Sequence, residues 1–304
     1  MRHLVVPEDL SAAEIEAVFA VSRDLQEKFE AGRRDPLLPG RVLALVFEKP
    51  SLRTRVSFEA AMAHLCGTSL FLGADTGFAS SRESIDDFGR VLGEYVDAIV
   101  CRSNAHATIE RLAEVAGVPV INGLSDYTHP CQALADVYTL RQRVGSVAGL
   151  TFTFVGDGNN VARSLAVVCG LLGMRFVLAA PKPYQFDDAF RRHLKKLLPD
   201  ARIEETSDPV VAVKGAAVVY TDVWTSMGQE KERAARLEVF KPYQVNEKLM
   251  AHCPGAMFMH CLPARRGEEV TDAVIDGPQS VVVEEAAARM HVQKGLLAWL
   301  LGHA

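Results

Sequence analysis

Short apolar runs alternate along the chain with longer stretches in which apolar residues return every three or four positions. The first pattern is that of strands and the second that of helices packed on one face. Runs at 42–46, 69–72, 98–102, 118–122, 150–155, 176–180, 201–204, 217–220, 256–260 and 281–285 read as strands. Several are apolar at nearly every position, as strands covered on both faces are. Between them, Ile15, Val18, Phe19, Leu25 and Phe29 mark 8–33 as one helix or a broken pair, and Phe58, Ala61, Met62 and Leu65 mark 55–65. Cys66-Gly67 gives that helix a C-terminal stop. Further helical patterns begin at 82–87 and run through 137–149, 161–172 and 286–301. Regular β-then-α alternation predicts an α/β protein whose parallel sheets carry helices on both faces.

Composition sharpens this picture. The chain has 304 residues, 49% hydrophobic and 23% charged, which fits a globular protein of two similar-sized domains. No apolar run approaches the ~20 residues that span a bilayer, and the first residues lack the apolar core of a signal peptide. A cytoplasmic protein with no membrane partner is expected. A formal net charge of -5 argues against nucleic acid as a partner, because phosphate backbones demand a basic surface. The six cysteines contain no Cys-x-x-Cys pair, so they read as reduced thiols and not as a zinc site or disulfide frame.

Candidate chemistry gathers where strands end. The run 42–46 leads into Phe47-Glu48-Lys49-Pro50-Ser51-Leu52-Arg53-Thr54-Arg55, a turn followed by a helix start with Ser51 as its N-cap. Free amides, the helix dipole, two hydroxyls and the guanidinium groups of Arg53 and Arg55 make an anion site there. The strand 98–102 ends in Arg102, and the carboxyl edge of a parallel sheet is where such folds bind ligands. His129 and Gln132 flank Pro130 at the next helix start, one turn apart, so both can face one polar group. An imidazole and a carboxamide suit a carbonyl oxygen and an amide nitrogen. Asp222, at the end of the strand 217–220, is a natural partner for an ammonium group, and Ser226-Met227-Gly228 begins a loop able to close. Gly156-x-Gly158 alone is a weak dinucleotide signal, since no third glycine follows at the required offset.

Ser51-Leu52-Arg53-Thr54-Arg55 resembles the Ser-x-Arg-Thr-Arg carbamoyl phosphate loop of the aspartate and ornithine carbamoyltransferases, and the resemblance runs over almost the whole chain. His129-Pro130-Cys131-Gln132, followed by Ala133-Leu134-Ala135-Asp136, is similar to the family's His-Pro-x-Gln motif. Asp222 four residues before Ser226-Met227-Gly228, and His260-Cys261-Leu262-Pro263, resemble the ornithine branch. The resemblance implies two domains, residues 1–135 completed by the C-terminal helix 286–304 for carbamoyl phosphate, and 136–285 for ornithine. It implies carbamoyl phosphate ligands at Ser51, Leu52, Arg53, Thr54, Arg102, His129, Gln132, Cys261, Leu262 and Arg289, with Arg102, His129 and Cys261 catalytic. Asn160, Asp222, Ser226 and Met227 would hold L-ornithine. The implied reaction moves the carbamoyl group to the δ-amine, giving L-citrulline and phosphate, with no metal or organic cofactor. The implied assembly is a homotrimer or a multiple of trimers, in which the loop 73–81 reaches a neighbouring subunit's site.

Two departures from the family pattern stand out. Phe78 replaces the usual glutamine five residues before Glu83-Ser84, leaving Arg82 as a substitute phosphate contact or a solvated arginine. Glu285-Ala286-Ala287-Ala288-Arg289 keeps the arginine of Glu-Ala-Glu-Asn-Arg without its acidic and amide neighbours, which puts the orientation of Arg289 in question. The rival readings are a carbamoyltransferase for a modified ornithine or another amine, an NAD-dependent dehydrogenase, and an amino-acid-binding module without catalysis.

Overall fold

The computed structural model describes residues 2–75, 83–225 and 230–302. The chain forms two compact units, Met1–Tyr138 with Ala288–Ala304, and Thr139–Ala287.

In the first unit the order is α1 (Ala12–Glu30), β1 (Val42–Phe47), α2 (Leu52–His64), β2 (Thr68–Leu72), α3 (Ile85–Gly93), β3 (Ala98–Arg102), α4 (His106–Val115), β4 (Val120–Leu124) and α5 (Pro130–Val144), whose end passes into the second unit. All four strands pair in parallel, in the order β2-β1-β3-β4. The chain therefore leaves every strand at the same edge. Sequence order reverses between β1 and β3, and the crevice at such a reversal is where open α/β sheets take their ligands. One core packs Ala44, Val46, Ile99 and Cys101 against Phe88 and Leu92 of α3 and Ile109 and Leu112 of α4. α2 stops where Cys66 takes a left-handed backbone, φ 63°, and the Gly67 N–H donates to the Met62 carbonyl at 2.9 Å. A side chain at Gly67 would run into Met62, so the glycine answers a close approach while Cys66 makes the turn.

The second unit repeats the plan. It contains β5 (Thr151–Val155), α6 (Asn160–Leu171), β6 (Arg175–Ala179), α7 (Asp188–Leu197), β7 (Arg202–Thr206), α8 (Pro209–Val213), β8 (Val218–Thr221), α9 (Arg233–Phe240), α10 (Glu247–Met250), β9 (Met257–His260) and α11 (Asp272–Ile275). Its parallel sheet is ordered β7-β6-β5-β8-β9, with the reversal between β5 and β8. Val155, Val177, Val219 and Phe258 pack with Trp224, Phe240 and Tyr243 in its core. The α/β class and the parallel pairing agree with the alternation read along the sequence.

One expected element is absent. Residues 281–285 do not form a strand; Ser280 makes a single bridge to Phe258, and α12 (Val282–Leu301) starts at once. Val282 faces the core, Val283 is 75% exposed, and Glu284 and Glu285 sit in the first turn, where the helix dipole favours acids. That acidic pair turns a β-like valine run into a helix start. Among the described residues no helix is long and apolar enough to cross a membrane. Cys101, Cys131, Cys169 and Cys253 are buried and in no disulfide, as small apolar side chains would be, while Cys66 is exposed and Cys261 half-buried.

Candidate active site

At the reversal point of the first unit, Ser51 caps α2 by accepting the Thr54 N–H at 3.4 Å, and the two hydroxyls lie 3.0 Å apart. Leu52 is 76% exposed in the first helical turn, so what it can offer an anion is its amide. Arg53 is half-buried and makes no ion pair with a described residue. Arg55, read along the sequence as part of the anion grip, is instead committed elsewhere: it pairs with Glu59 at 3.0 Å and lies over the Phe71 ring at 3.8 Å. Four residues along a helix put Glu59 directly under it, which is why it turns away.

Arg102 ends β3 opposite Phe47 of β1 and is buried. His129 precedes Pro130, the first residue of α5, and is also buried. Burial, then the charges of Arg289 and Arg102, hold its imidazole far below the usual histidine range. At neutral pH it is a neutral ring with one N–H to donate. Arg289 of α12 donates through Nη1 to Gln132 Oε1 at 2.9 Å and through Nη2 to Thr54 Oγ1 at 3.1 Å. Gln132 in turn donates through Nε2 to Asp136 Oδ1 at 2.7 Å. The orientation of Arg289 thus comes from residues far away in sequence, and the lost family neighbours are not what holds it. Ser51, Thr54, Gln132 and Arg289 form one connected cluster, with Arg102 and His129 close enough to act on each other's charge. Its cationic character suits a phosphate group.

In the second unit β8 and β9 pair with Thr221 opposite His260, so the next residues, Asp222 and Cys261, leave the sheet side by side. The Cys261 thiol donates to Asp222 Oδ1 at 3.2 Å, and Asn159 Nδ2 donates to Asp222 Oδ2 at 2.9 Å. Asn159 also caps α6, its Oδ1 accepting the N–H groups of Val161 and Ala162 at 3.0 Å each. Asn160 begins α6 with its side-chain Oδ1 accepting the Val161 N–H at 3.0 Å. The expectation placed only Asn160 here; the capping position before a helix would have singled out Asn159 as well. Leu262 has a left-handed backbone, φ 55°, and its N–H donates to His260 Nδ1 at 2.9 Å. The other ring nitrogen meets Glu269 Oε1 at 3.1 Å, with both side chains buried. Ser226, Met227 and Gly228, like Phe78 and Arg82, lie outside the described residues.

Two details bear on other chemistries. Ligating atoms of Asp222, His260 and Cys261 lie within 4.8 Å of one another, but both His260 ring nitrogens already bond within the protein. The glycine turn after β5 is closed: the Gly158 N–H donates to the Tyr184 carbonyl at 2.8 Å, and Asn159 occupies the first amides of α6. Those are the donors a pyrophosphate would need. Next to that turn Asp157 pairs with Arg236, whose Nε donates to the Trp224 carbonyl at 2.6 Å. Burial pushes the Asp157 carboxyl up to about 6 against the pull of that arginine. Neither residue was singled out in the sequence, since their pairing spans far-apart segments.

Two doubly wound α/β units, one with a cationic cluster at its sheet edge and the other with a paired carboxylate and thiol, define a two-domain protein with small-molecule sites. The family models that match are those of the aspartate/ornithine carbamoyltransferases: the carbamoyl-P binding domain over residues 2–142 and the Asp/Orn binding domain over residues 148–300. The chain is 49% identical over 304 residues to the ornithine carbamoyltransferase of Pyrococcus abyssi, covering 99% of this chain and 96% of that one. The solved ornithine carbamoyltransferase of Pyrococcus furiosus superposes with a TM-score of 0.96 at 47% identity, covering 100% of this chain and 98% of that one. That of Thermus thermophilus gives 0.88 at 40%, covering 99% of each. The chain belongs to the aspartate/ornithine carbamoyltransferase family.

Proposed function

We propose that the protein transfers the carbamoyl group of carbamoyl phosphate to the δ-amine of L-ornithine, giving L-citrulline and phosphate. The observation that carries the choice of amine is the Cys261 thiol beside the Asp222 carboxylate at 3.2 Å. A carboxylate attracts an ammonium group, and Cys261 as a thiolate, its own proton passed along that hydrogen bond to Asp222, can take the proton which the amine must lose before attack. The relatives named above are ornithine carbamoyltransferases, which supports the same reading.

Each assigned residue then has a task. Ser51, Leu52, Arg53 and Thr54 take the phosphate oxygens, and Arg102 and Arg289 neutralise the charge that grows on the leaving phosphate. Neutral His129 and Arg102 donate to the carbonyl oxygen, so polarisation does not depend on a histidine that must first be charged. Gln132 takes the carbamoyl NH2. Asn160, Asp222, Ser226 and Met227 hold the amino acid. The reaction needs the neutral amine in line with the carbonyl carbon, and holding both substrates removes most of the entropic cost of that encounter. The assembly proposed is a trimer of the chain. A bisubstrate phosphonate carrying ornithine, titrated into the intact protein during sedimentation, tests both parts. Tight binding to a species of three chains is expected; binding of a nicotinamide cofactor in its place, or a fully active single chain, would contradict them.

A further inference from the structure

Asn122 stands in β4 opposite Cys101, the residue before Arg102, and is wholly buried. Four oxygens surround its side-chain nitrogen: the Val5 carbonyl at 2.8 Å, the Thr128 hydroxyl at 3.1 Å, and the Ser125 hydroxyl and the Thr128 carbonyl at 3.4 Å each. Carbonyl oxygens only accept, so the end of the carboxamide that faces them is its NH2. The Thr128 hydroxyl in turn donates to the Val5 carbonyl at 3.3 Å. Along the same edge of β4 the Leu4 N–H donates to the Val120 carbonyl at 2.9 Å, and the Asn122 N–H to the Leu4 carbonyl at 2.7 Å. Asn122 thus ties Leu4 and Val5 to the turn 125–128.

That turn leads directly into His129. The Thr128 carbonyl belongs to the peptide that joins Thr128 to His129, and besides Asn122 it accepts the Ser125 N–H at 3.0 Å. The Thr128 N–H returns to Ser125 Oγ at 3.2 Å. On the far side of the turn, Asp126 accepts the His106 N–H at 2.8 Å, and His106 Nδ1 lies 2.8 Å from Ser125 Oγ. A peptide is planar, so holding its oxygen sets the direction from which the next residue leaves. We infer that Asn122 is a positioning residue: by pinning the turn to Val5 it aims the His129 imidazole at the carbonyl oxygen of the substrate. Asn122 acts through His129, since its own NH2 is spent on protein oxygens. Charge on that carbonyl oxygen grows as the reaction proceeds, so a badly aimed donor costs the transition state more than it costs binding. The inference rests on the carbamoyl-transfer reading of His129 and adds the part of the fold that directs it.

The test is a double-mutant cycle in steady-state turnover of the intact protein, with rates counted per site titrated by the bisubstrate phosphonate so that misfolded chains drop out. Asn122→Leu keeps the branched shape and removes the donor. Its kcat is expected to fall about tenfold or more, part of what losing such a donor outright costs, with KM for carbamoyl phosphate within about twofold of the unaltered protein. Made beside His129→Ala, the same change should lower kcat by less than about twofold further, because no imidazole is left to aim. A residue that served only as scaffold would give losses that add. Additive losses, or no loss in the single variant, overturn the inference and leave the carbamoyl-transfer reading standing. If His129→Ala alone turned over at the unaltered rate, the reading of His129 would fall and the inference with it. Should Asn122→Leu not fold, Thr128→Val, which loses only the hydroxyl between Asn122 and Val5, takes its place in the cycle. A severalfold drop in kcat that disappears beside His129→Ala is then expected, and an additive loss or none would again contradict the role of Asn122.

Discussion

An amine with a solution pKa of about 10 arrives at neutral pH almost wholly protonated, and in the proposed reaction Asp222 and Cys261 are the groups that meet that charge. The carboxylate can gather the cation, but a carboxylate alone would also keep it charged. In the proposed reaction the Cys261 sulfur, once its own proton has passed to the carboxylate it bonds at 3.2 Å, becomes a second, softer centre for the departing proton. Cys261→Ser preserves the hydrogen bond and removes that centre. Its turnover at neutral pH should fall by about a hundredfold or more, as for loss of a general base, and its pH profile should climb toward the pKa of the free amine. Carbamoyl phosphate affinity should stay near that of the unaltered protein. Steady-state rates between pH 7 and 10 check this, and unchanged turnover at pH 7 would remove the thiol from the proton's path. Residue types were legible here and partners were not. A carboxylate and a thiol at strand ends can be read directly, whereas Asn159 bonding Asp222, and Arg289 reaching Gln132 and Thr54, join positions brought together only by the fold.

At the scale of elements, strands such as β1 and β3 were legible because strands covered on both faces are apolar nearly throughout. Val282 and Val283 obeyed the same composition rule but belong to α12, where the acids that follow them decide the outcome. That helix also carries an unusual polar load. His291 and Lys294 are both buried, and a side chain at Gly295 would strike Ser22 of α1, so the two helices are in close contact there. His291 and His64 both lie against the Phe29 ring, at 5.3 and 4.9 Å, which Arg34 covers at 3.8 Å and Lys294 at 5.0 Å. Burial, then Lys294, pushes His291 down to about 4, with Glu30 pulling the other way, and burial pushes Lys294 down to about 8 against the pull of Asp35. His64 is lowered by burial, Arg34 and Lys294. A histidine whose folded pKa lies below its unfolded one stabilises the fold fully above the unfolded value near 6.5, and that contribution is lost as pH falls toward about 4. Thermal unfolding of the unaltered protein should therefore weaken from pH 7 to pH 5. In His291→Gln the drop should be shallower by about 3 °C or more, since the replacement cannot charge. Equal pH dependence in the two proteins would show that this cluster does not titrate on unfolding.

For the whole molecule, the useful regularity is that both units use the same plan and place their chemistry at the same structural address. Each is a parallel sheet whose strand order reverses once, and in each the assigned residues follow the strands that flank the reversal: Ser51 to Thr54 and Arg102 in the first, Asn160 and Asp222 in the second, with Cys261 one strand further. A parallel sheet makes this unavoidable, because every strand then ends at one edge. That address could be inferred from alternation alone, while the division of labour between an anion cluster and an amine pair required the motifs. The central claim is that this chain moves a carbamoyl group, and moves it to ornithine. Its most direct test is product formation from carbamoyl phosphate with four amines offered in parallel: L-ornithine, N-acetylornithine, putrescine and L-aspartate. The account predicts citrulline and phosphate in equal amounts from L-ornithine, with the other three far slower. Preferred turnover of any of those three, or phosphate release without citrulline, would contradict it.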